Sequence, residues 1–130
     1  MKKGTIISKI SKKEQGNFPQ NFKNYFQEAG DDDLLTALSQ QQIEIEKLGQ
    51  NVNEEKSLFA YAEDKWTLRE VLQHLIDAER VFAYRALAFA RKDANILPSF
   101  DENDYARYSY ATDRAWSSLI AEFLAVRKST

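Results

Sequence analysis

Apolar residues recur at helical spacing in three stretches of the chain. Between residues 33 and 52 they are separated by four, seven, three and four positions: Leu34, Leu38, Ile45, Leu48 and Val52. Residues 67–91 and 112–127 repeat this rhythm, which places the apolar side chains on one face of an α-helix. The spacing predicts helices at about 33–52, 67–91 and 112–127 and no β-sheet.

The predicted second helix has the clearest start signal in the chain. Thr67 followed three residues later by Glu70 matches a capping box, and Trp66 before it can pack on Val71 as a hydrophobic staple. Acidic residues at 31–33 suit the start of the first helix, and Asp101 can cap a short helical turn through Tyr108.

The N-terminal residues 1–30 differ from the rest of the chain. Gly16, Pro19 and Gly30 are among the helix breakers that lie here, whereas helical patterns dominate after residue 30. We predict an ordered arm over residues 1–30, with aromatic residues laid over a core, and a helical bundle over residues 31–130, together one domain.

Three amphipathic helices make up most of a four-helix bundle. We therefore predict an all-α, antiparallel up-down bundle of the four-helix type, with the fourth helix missing and the chain truncated at its C-terminal end. The open edge would expose an apolar stripe, which soluble monomers rarely tolerate, so we expect a homodimer.

Composition excludes several classes of function. The chain has 18 Lys+Arg and 20 Asp+Glu, a net charge of -2, so neither nucleic acid nor an anionic membrane is an expected partner. Lys2 to Lys13 is interpreted as a solvated arm. The absence of cysteine excludes disulfides, thiolate metal sites and a cysteine nucleophile. The longest apolar run, Val81 to Ala90, is about half of a membrane span. We expect a soluble, cytoplasmic protein.

His74 is the only histidine in the chain. Helical geometry places Glu70 and Asp77 on its side of the second helix, where either carboxylate could orient the imidazole from the second coordination shell of a metal. The alternative is a hydrogen-bonded structural histidine, which is the more frequent role of a single histidine at the edge of an apolar stripe.

Glu79 lies on the predicted buried stripe, where an unpaired carboxylate is costly. One interpretation is a catalytic carboxylate, or an outer-shell metal group with a raised pKa. The other is an ion pair with an arginine of a neighbouring element, and three candidates are Arg85, Arg107 and Arg114.

The loop after the second helix is rich in side chains that can bind ligands. Asp101, Glu102 and Asp104 look like a cation site, but they lack the spacing of an EF-hand, so helix capping is the favoured interpretation. Four aromatic residues could line a substrate pocket or simply pack: Tyr105, Tyr108, Tyr110 and Trp116.

The segment from Lys65 to Arg91 closely resembles the DinB-like superfamily of helical-bundle proteins. The similarity continues through Leu97–Asn103 and Glu122–Arg127, and more loosely to Asp33–Leu35. At Ser99 the relatives usually have glycine.

The resemblance implies a four-helix bundle, often dimeric, with a divalent metal such as Zn or Ni bound by three histidines. Relatives include thiol-S-transferases and proposed metal-dependent hydrolases that act on small substrates. The first metal histidine corresponds to His74, with Glu70, Asp77 and Glu79 as second-shell candidates. The other two belong to an H-x-x-x-H motif on the fourth helix, which has no counterpart here. We therefore expect this chain alone to bind no metal tightly. The alternative function is a metal-free helical module for dimerisation or protein interaction.

Overall fold

The computed structural model describes residues 33–130, and these are all-α. The helices are α1 (Leu34–Asn51), α2 (Glu54–Ser57), α3 (Leu68–Ala90), α4 (Glu102–Tyr108) and α5 (Trp116–Ser129), with a 3-10 turn at Ala111–Asp113. No β-strand occurs between residues 33 and 130. No helix in this range is both long enough and apolar enough to cross a membrane. The predicted arm, residues 1–30, lies outside the described residues.

The caps confirm three of the predicted helix starts, those of α1, α3 and α4. Asp33 accepts hydrogen bonds from the backbone N–H groups of Leu35 and Thr36 at the start of α1. Thr67 and Glu70 form a complete capping box before α3, and Asp101 caps α4. In each case a short polar side chain satisfies N–H groups that have no acceptor within the helix.

The Thr67 cap allows a direct test of the start of α3. Thr67→Ala removes the acceptor for the Glu70 N–H, so we expect the free energy of unfolding to fall by about 1 kcal/mol in equilibrium urea unfolding. Thr112→Ala is the matched control, because Thr112 is exposed and its hydroxyl makes no hydrogen bond within residues 33–130. Equal midpoints for wild type and Thr67→Ala would mean that the cap does not stabilise α3.

The described residues belong to two units that divide after Ile43. The core of the second unit lies between α3 and α5, where five side chains are buried: Leu72, Ile76, Trp116, Leu119 and Phe123. Ile45, Leu48 and Val52 of α1 pack against this cluster. Gly49 allows the close approach of α1, because a Cβ atom there would lie 3.0 Å from the Ile120 side chain.

The helices α3 and α5 run parallel, so the antiparallel packing that we predicted for this pair is wrong. Arg69 at the start of α3 bonds to the carbonyl of Arg114 just before α5, whereas Glu79 further along α3 bonds to Arg127 further along α5. Contacts that advance in the same direction along both helices require parallel axes. The arrangement of a complete four-helix bundle stays a prediction.

The connection between α3 and α5 explains the parallel orientation. Residues 91–115 return along α3: the Pro98 carbonyl accepts a hydrogen bond from Arg85 at 2.8 Å, and the Thr112 carbonyl accepts one from Arg69 at 2.9 Å. Helix α4 packs on α3 within this connection. An up-down topology assumes short turns, but this segment is long enough to pass the whole length of α3, about 34 Å.

The last helix begins at Trp116, three or four residues later than the sequence pattern indicated. Ala115 before it has no side chain that can cap. Instead the Glu54 carboxylate of α2 accepts hydrogen bonds from the Trp116 N–H at 2.9 and 3.0 Å. A cap supplied by a distant residue leaves no local sequence signal, and the sequence pattern did not predict α2.

The apolar stripe of α3 is buried only over its first half. Leu72 and Ile76 are almost fully buried, but Phe82 is 56% exposed and Phe89 is 73% exposed. The exposed second half of α3 agrees with the prediction that an open edge of the bundle leaves an apolar stripe uncovered.

Candidate functional site

His74 lies in the second turn of α3 and is half-buried. Its ring contacts the ring of Trp66, with 5.1 Å between the centroids and 47° between the planes. Trp66 directly precedes Thr67, the N-cap residue of α3. Within residues 33–130 neither nitrogen of His74 has a hydrogen-bond partner.

The two carboxylates predicted to orient His74 bond to other groups. Glu70 accepts hydrogen bonds from the Thr67 N–H at 2.7 Å and the Thr67 hydroxyl at 2.8 Å. Asp77 accepts one from the Gln73 amide at 2.9 Å. Neither carboxylate bonds to His74. The sequence places both carboxylates about one helical turn from His74, but it does not determine which groups they bond to.

Glu79 and Arg127 form a buried ion pair. The guanidinium donates three hydrogen bonds of 2.8 to 3.0 Å to the carboxylate, and the two side chains are 10% and 7% exposed. The Arg127 guanidinium also lies 4.9 Å from the centre of the Phe123 ring. The ion-pair interpretation of Glu79 is confirmed, and a carboxylate held in this way is not free to act as a base.

The arginine that pairs with Glu79 is none of the three that we predicted. Arg85 bonds to the Pro98 carbonyl, Arg107 lies 3.9 Å from Asp104, and Arg114 bonds to Gln73 and Glu122. Arg127 reaches Glu79 because α3 and α5 are parallel and both residues lie eleven positions after the helix start. Its spacing of four residues from Phe123, on the same face, was the available sequence signal.

Glu122 is the centre of a second group of charged side chains. Its two carboxylate oxygens each lie 2.6 Å from a guanidinium nitrogen, one of Arg80 and one of Arg114. Arg114 also donates to the Gln73 amide oxygen at 2.6 Å. Burial alone would raise the pKa of Glu122, but the hydrogen bonds and charges of Arg114 and Arg80 outweigh it and hold that pKa below its ordinary value.

The lowered pKa of Glu122 predicts a loss of stability in acid. A carboxyl whose pKa is lower in the folded state stabilises the fold above its unfolded pKa of about 4.3, and this contribution is lost as the pH falls through the folded pKa. We therefore expect the stability difference between wild type and Glu122→Gln to be largest near pH 7 and to shrink below about pH 4. Urea unfolding of both proteins across this range measures it, and a difference that does not change with pH would contradict the assignment.

Arg69 is a buried junction between α2, α3 and the segment before α5, and sequence reasoning missed it. All five of its N–H groups are bonded: to the Ser57 hydroxyl, to the carbonyls of Thr112 and Arg114, and to the carbonyl and carboxylate of Glu54. The side chain is 8% exposed. An arginine at the start of an amphipathic helix gives no indication of such a role, because its partners lie up to 45 residues away.

The structure shows where the acidic loop residues and the nearby aromatic residues lie. Asp101 caps α4, as the sequence favoured, and Glu102 and Asp104 are exposed. Trp116 is 3% exposed in the core, whereas Tyr108 and Tyr110 are each 65% exposed. The packing interpretation is therefore confirmed for Trp116 and is wrong for Tyr108 and Tyr110. Tyr105 is 46% exposed and packs its ring against Phe100, with 4.9 Å between the centroids.

The described residues do not assemble a metal site. No group of three or more His, Asp or Glu side chains between residues 33 and 130 is arranged to hold a metal ion. A catalytic zinc site normally uses three protein ligands, and this part of the chain offers the single imidazole of His74.

One comparison with known proteins identifies the family. A family model for the DinB superfamily matches residues 37–130, which include α3, α5 and His74. No curated protein and no solved structure matches the chain significantly. The match agrees with the all-α fold and covers well over half of the 130 residues. The chain therefore belongs to the DinB superfamily.

Proposed function

We propose that this chain acts as part of a metal-dependent enzyme, a hydrolase or thiol-S-transferase for a small substrate, and that His74 provides one metal ligand. The observation that supports this is the state of the imidazole. Trp66 holds the ring at 5.1 Å, yet neither nitrogen is used by another residue between 33 and 130. An imidazole with no hydrogen-bond partner among these residues can coordinate a metal ion without first giving up a hydrogen bond to the protein.

The remaining ligands in this proposal come from outside residues 33–130. Within that range the nearby carboxylates are committed: Glu70 to the capping box, Asp77 to Gln73 and Glu79 to Arg127. A divalent ion such as Zn or Ni would act at such a site as a Lewis acid or activate a water or thiol. The contribution of the described residues is to hold the imidazole in one orientation.

Titration of the 130-residue chain with Zn²⁺ and Ni²⁺ tests whether the site is incomplete. Because one imidazole falls short of three protein ligands, we expect no site of sub-micromolar affinity in isothermal titration calorimetry. A stoichiometric sub-micromolar site that disappears in His74→Ala would contradict this expectation.

A second titration tests His74 as a ligand. Nitrilotriacetate occupies four positions of Ni²⁺ and leaves room for an imidazole, so the Ni²⁺ complex should broaden the NMR signals of His74 and of the adjacent Trp66. Because His74 is the only histidine, His74→Ala removes every imidazole and is a complete control. Absence of broadening in the wild type would contradict the proposed role of His74.

A metal-free module that self-associates is the second candidate. Phe82 and Phe89 lie seven residues apart on one face of α3 and are both more than half exposed, a spacing that suits packing against the same helix of a second copy. Sedimentation equilibrium at micromolar concentration should then show a dimer that Phe82→Ser weakens. The control is Ile96→Ser, which changes an exposed residue outside the helices. A wild-type monomer would contradict this candidate.

A further inference from the structure

A cavity of about 410 Å³ opens beside Trp66, at the end of α3 where that helix begins. Its volume lies within the range of small-molecule sites. Six polar or aromatic side chains line it: Phe59, Tyr61, Asp64, Lys65, Trp66 and Asn103. All of these except Asn103 lie in the short segment between α2 and α3.

Three of the lining side chains are aromatic. Phe59 is 64% exposed and Tyr61 is 75% exposed, so the core does not use them, and Trp66 forms a half-buried wall. The faces of such rings carry negative partial charge and attract cations, with tryptophan the strongest. Exposed aromatic rings gathered around one cavity therefore favour a positively charged, weakly hydrated ligand group.

The charged lining residues narrow the choice of ligand. Asp64 and Lys65 both line the cavity, and neither has an ion-pair partner within residues 33–130. Asp64 has a φ of 58°, in the left-handed region that aspartate tolerates better than most residues, and this conformation shapes the turn that carries both side chains. The Asp64 carboxylate complements a cation, whereas the Lys65 ammonium disfavours a ligand whose only charge is positive.

We propose that this cavity binds a small zwitterion whose cationic end is a methylated ammonium group and whose anionic end is a carboxylate. The methylated ammonium would lie among the aromatic rings near Asp64, and the carboxylate would face Lys65. A primary ammonium fits less well, because it is strongly hydrated and the faces of the rings do not replace the hydrogen bonds that it loses. Trp66 lines the cavity and also contacts His74, so a ligand in the cavity would lie near the proposed metal ligand. The claim that this zwitterion is a substrate rests on the proposed function, whereas the claim that it binds does not.

Glycine betaine and 3,3-dimethylbutanoate provide a matched pair of probes, because they have the same shape. Glycine betaine carries a positive charge on its trimethylated nitrogen, whereas 3,3-dimethylbutanoate has a neutral carbon at that position. We expect the full chain to bind glycine betaine about 10-fold more tightly in NMR titration, with a shift of the Trp66 indole signal and none of the Trp116 signal. Equal affinity for the two probes, or no shift of Trp66 with either, would overturn the proposal.

Two variants locate the binding site. Asp64→Asn removes the charge with a residue that also tolerates a positive φ, and should weaken betaine binding by about 10-fold without weakening the binding of the anion 3,3-dimethylbutanoate. Tyr61→Ala should also weaken betaine binding, whereas Tyr84→Ala, which changes an exposed tyrosine of α3 outside this cavity, should not. Equal effects of the two tyrosine variants would overturn the proposal.

The titration contains no metal, so it separates this proposal from the previous one. Failure of betaine to bind overturns the zwitterion site and leaves the role of His74 to its own Ni²⁺ titration. Conversely, a negative Ni²⁺ result would remove the basis for calling the zwitterion a substrate and would leave its binding intact.

Discussion

Replacing Arg127 with methionine is expected to lower the free energy of unfolding by about 3–5 kcal/mol, because it leaves the Glu79 carboxylate buried without its partner. Three hydrogen bonds and the contact with the Phe123 ring are lost at the same time. Equilibrium urea unfolding measures the effect. The methionine itself is apolar and of similar length, so packing should change little.

The double variant Glu79→Leu/Arg127→Met distinguishes a buried-charge penalty from a loss of packing. Replacing both members of a buried ion pair by apolar residues is often neutral or stabilising, so the double variant should be more stable than Arg127→Met alone. If the two substitutions are additive and destabilising, the damage comes from lost packing, and the unpaired charge is not its cause.

Arg69→Met should produce a loss of similar size, about 3–4 kcal/mol. The substitution removes five hydrogen bonds that join α2 and the segment before α5 to α3, and it leaves the buried Ser57 hydroxyl without one partner. The loss of stability is smaller than for a fully buried pair, because the Glu54 side chain is 57% exposed and water can hydrate its carboxylate. The measurement is again the urea midpoint.

Arg107→Met is the matched control for Arg69. Its side chain is 70% exposed and lies 3.9 Å from Asp104, so its loss should change stability by no more than about 0.5 kcal/mol. A similar shift in both variants would show that Arg69 does not join the three segments.

The elements of this protein could be predicted to within a residue or two wherever the signal was local. Thr67 and Glu70 are three positions apart, and Asp101 caps the residues that directly follow it, so both helix starts were predicted. The start of α5 was not, because its cap is Glu54, which lies 62 residues before Trp116. Sequence patterns report the interactions of neighbours and carry no record of which distant side chain completes a helix end.

The candidate site shows the same division. That His74 is the single imidazole, and that Glu70 and Asp77 lie one turn from it, follows from the sequence and the helical repeat. The partners of these side chains do not follow from the sequence. Glu70 bonds to Thr67, Asp77 bonds to Gln73, and the His74 ring contacts Trp66. Each choice depends on rotamers and on competing donors within a few ångströms, which the periodicity of a helix does not encode.

The sequence by itself determined the helical class, the superfamily and the positions of the long helices, because these depend on local spacing and on the run of residues around His74 that resembles the DinB superfamily. Only the tertiary structure decided that α3 and α5 are parallel, that Glu79 pairs with Arg127, and that Arg69 joins three segments. The physical reason is the connection of residues 91–115: its polar sequence allows either a turn or a return along α3, and the direction it takes determines which charged side chains meet in the interior.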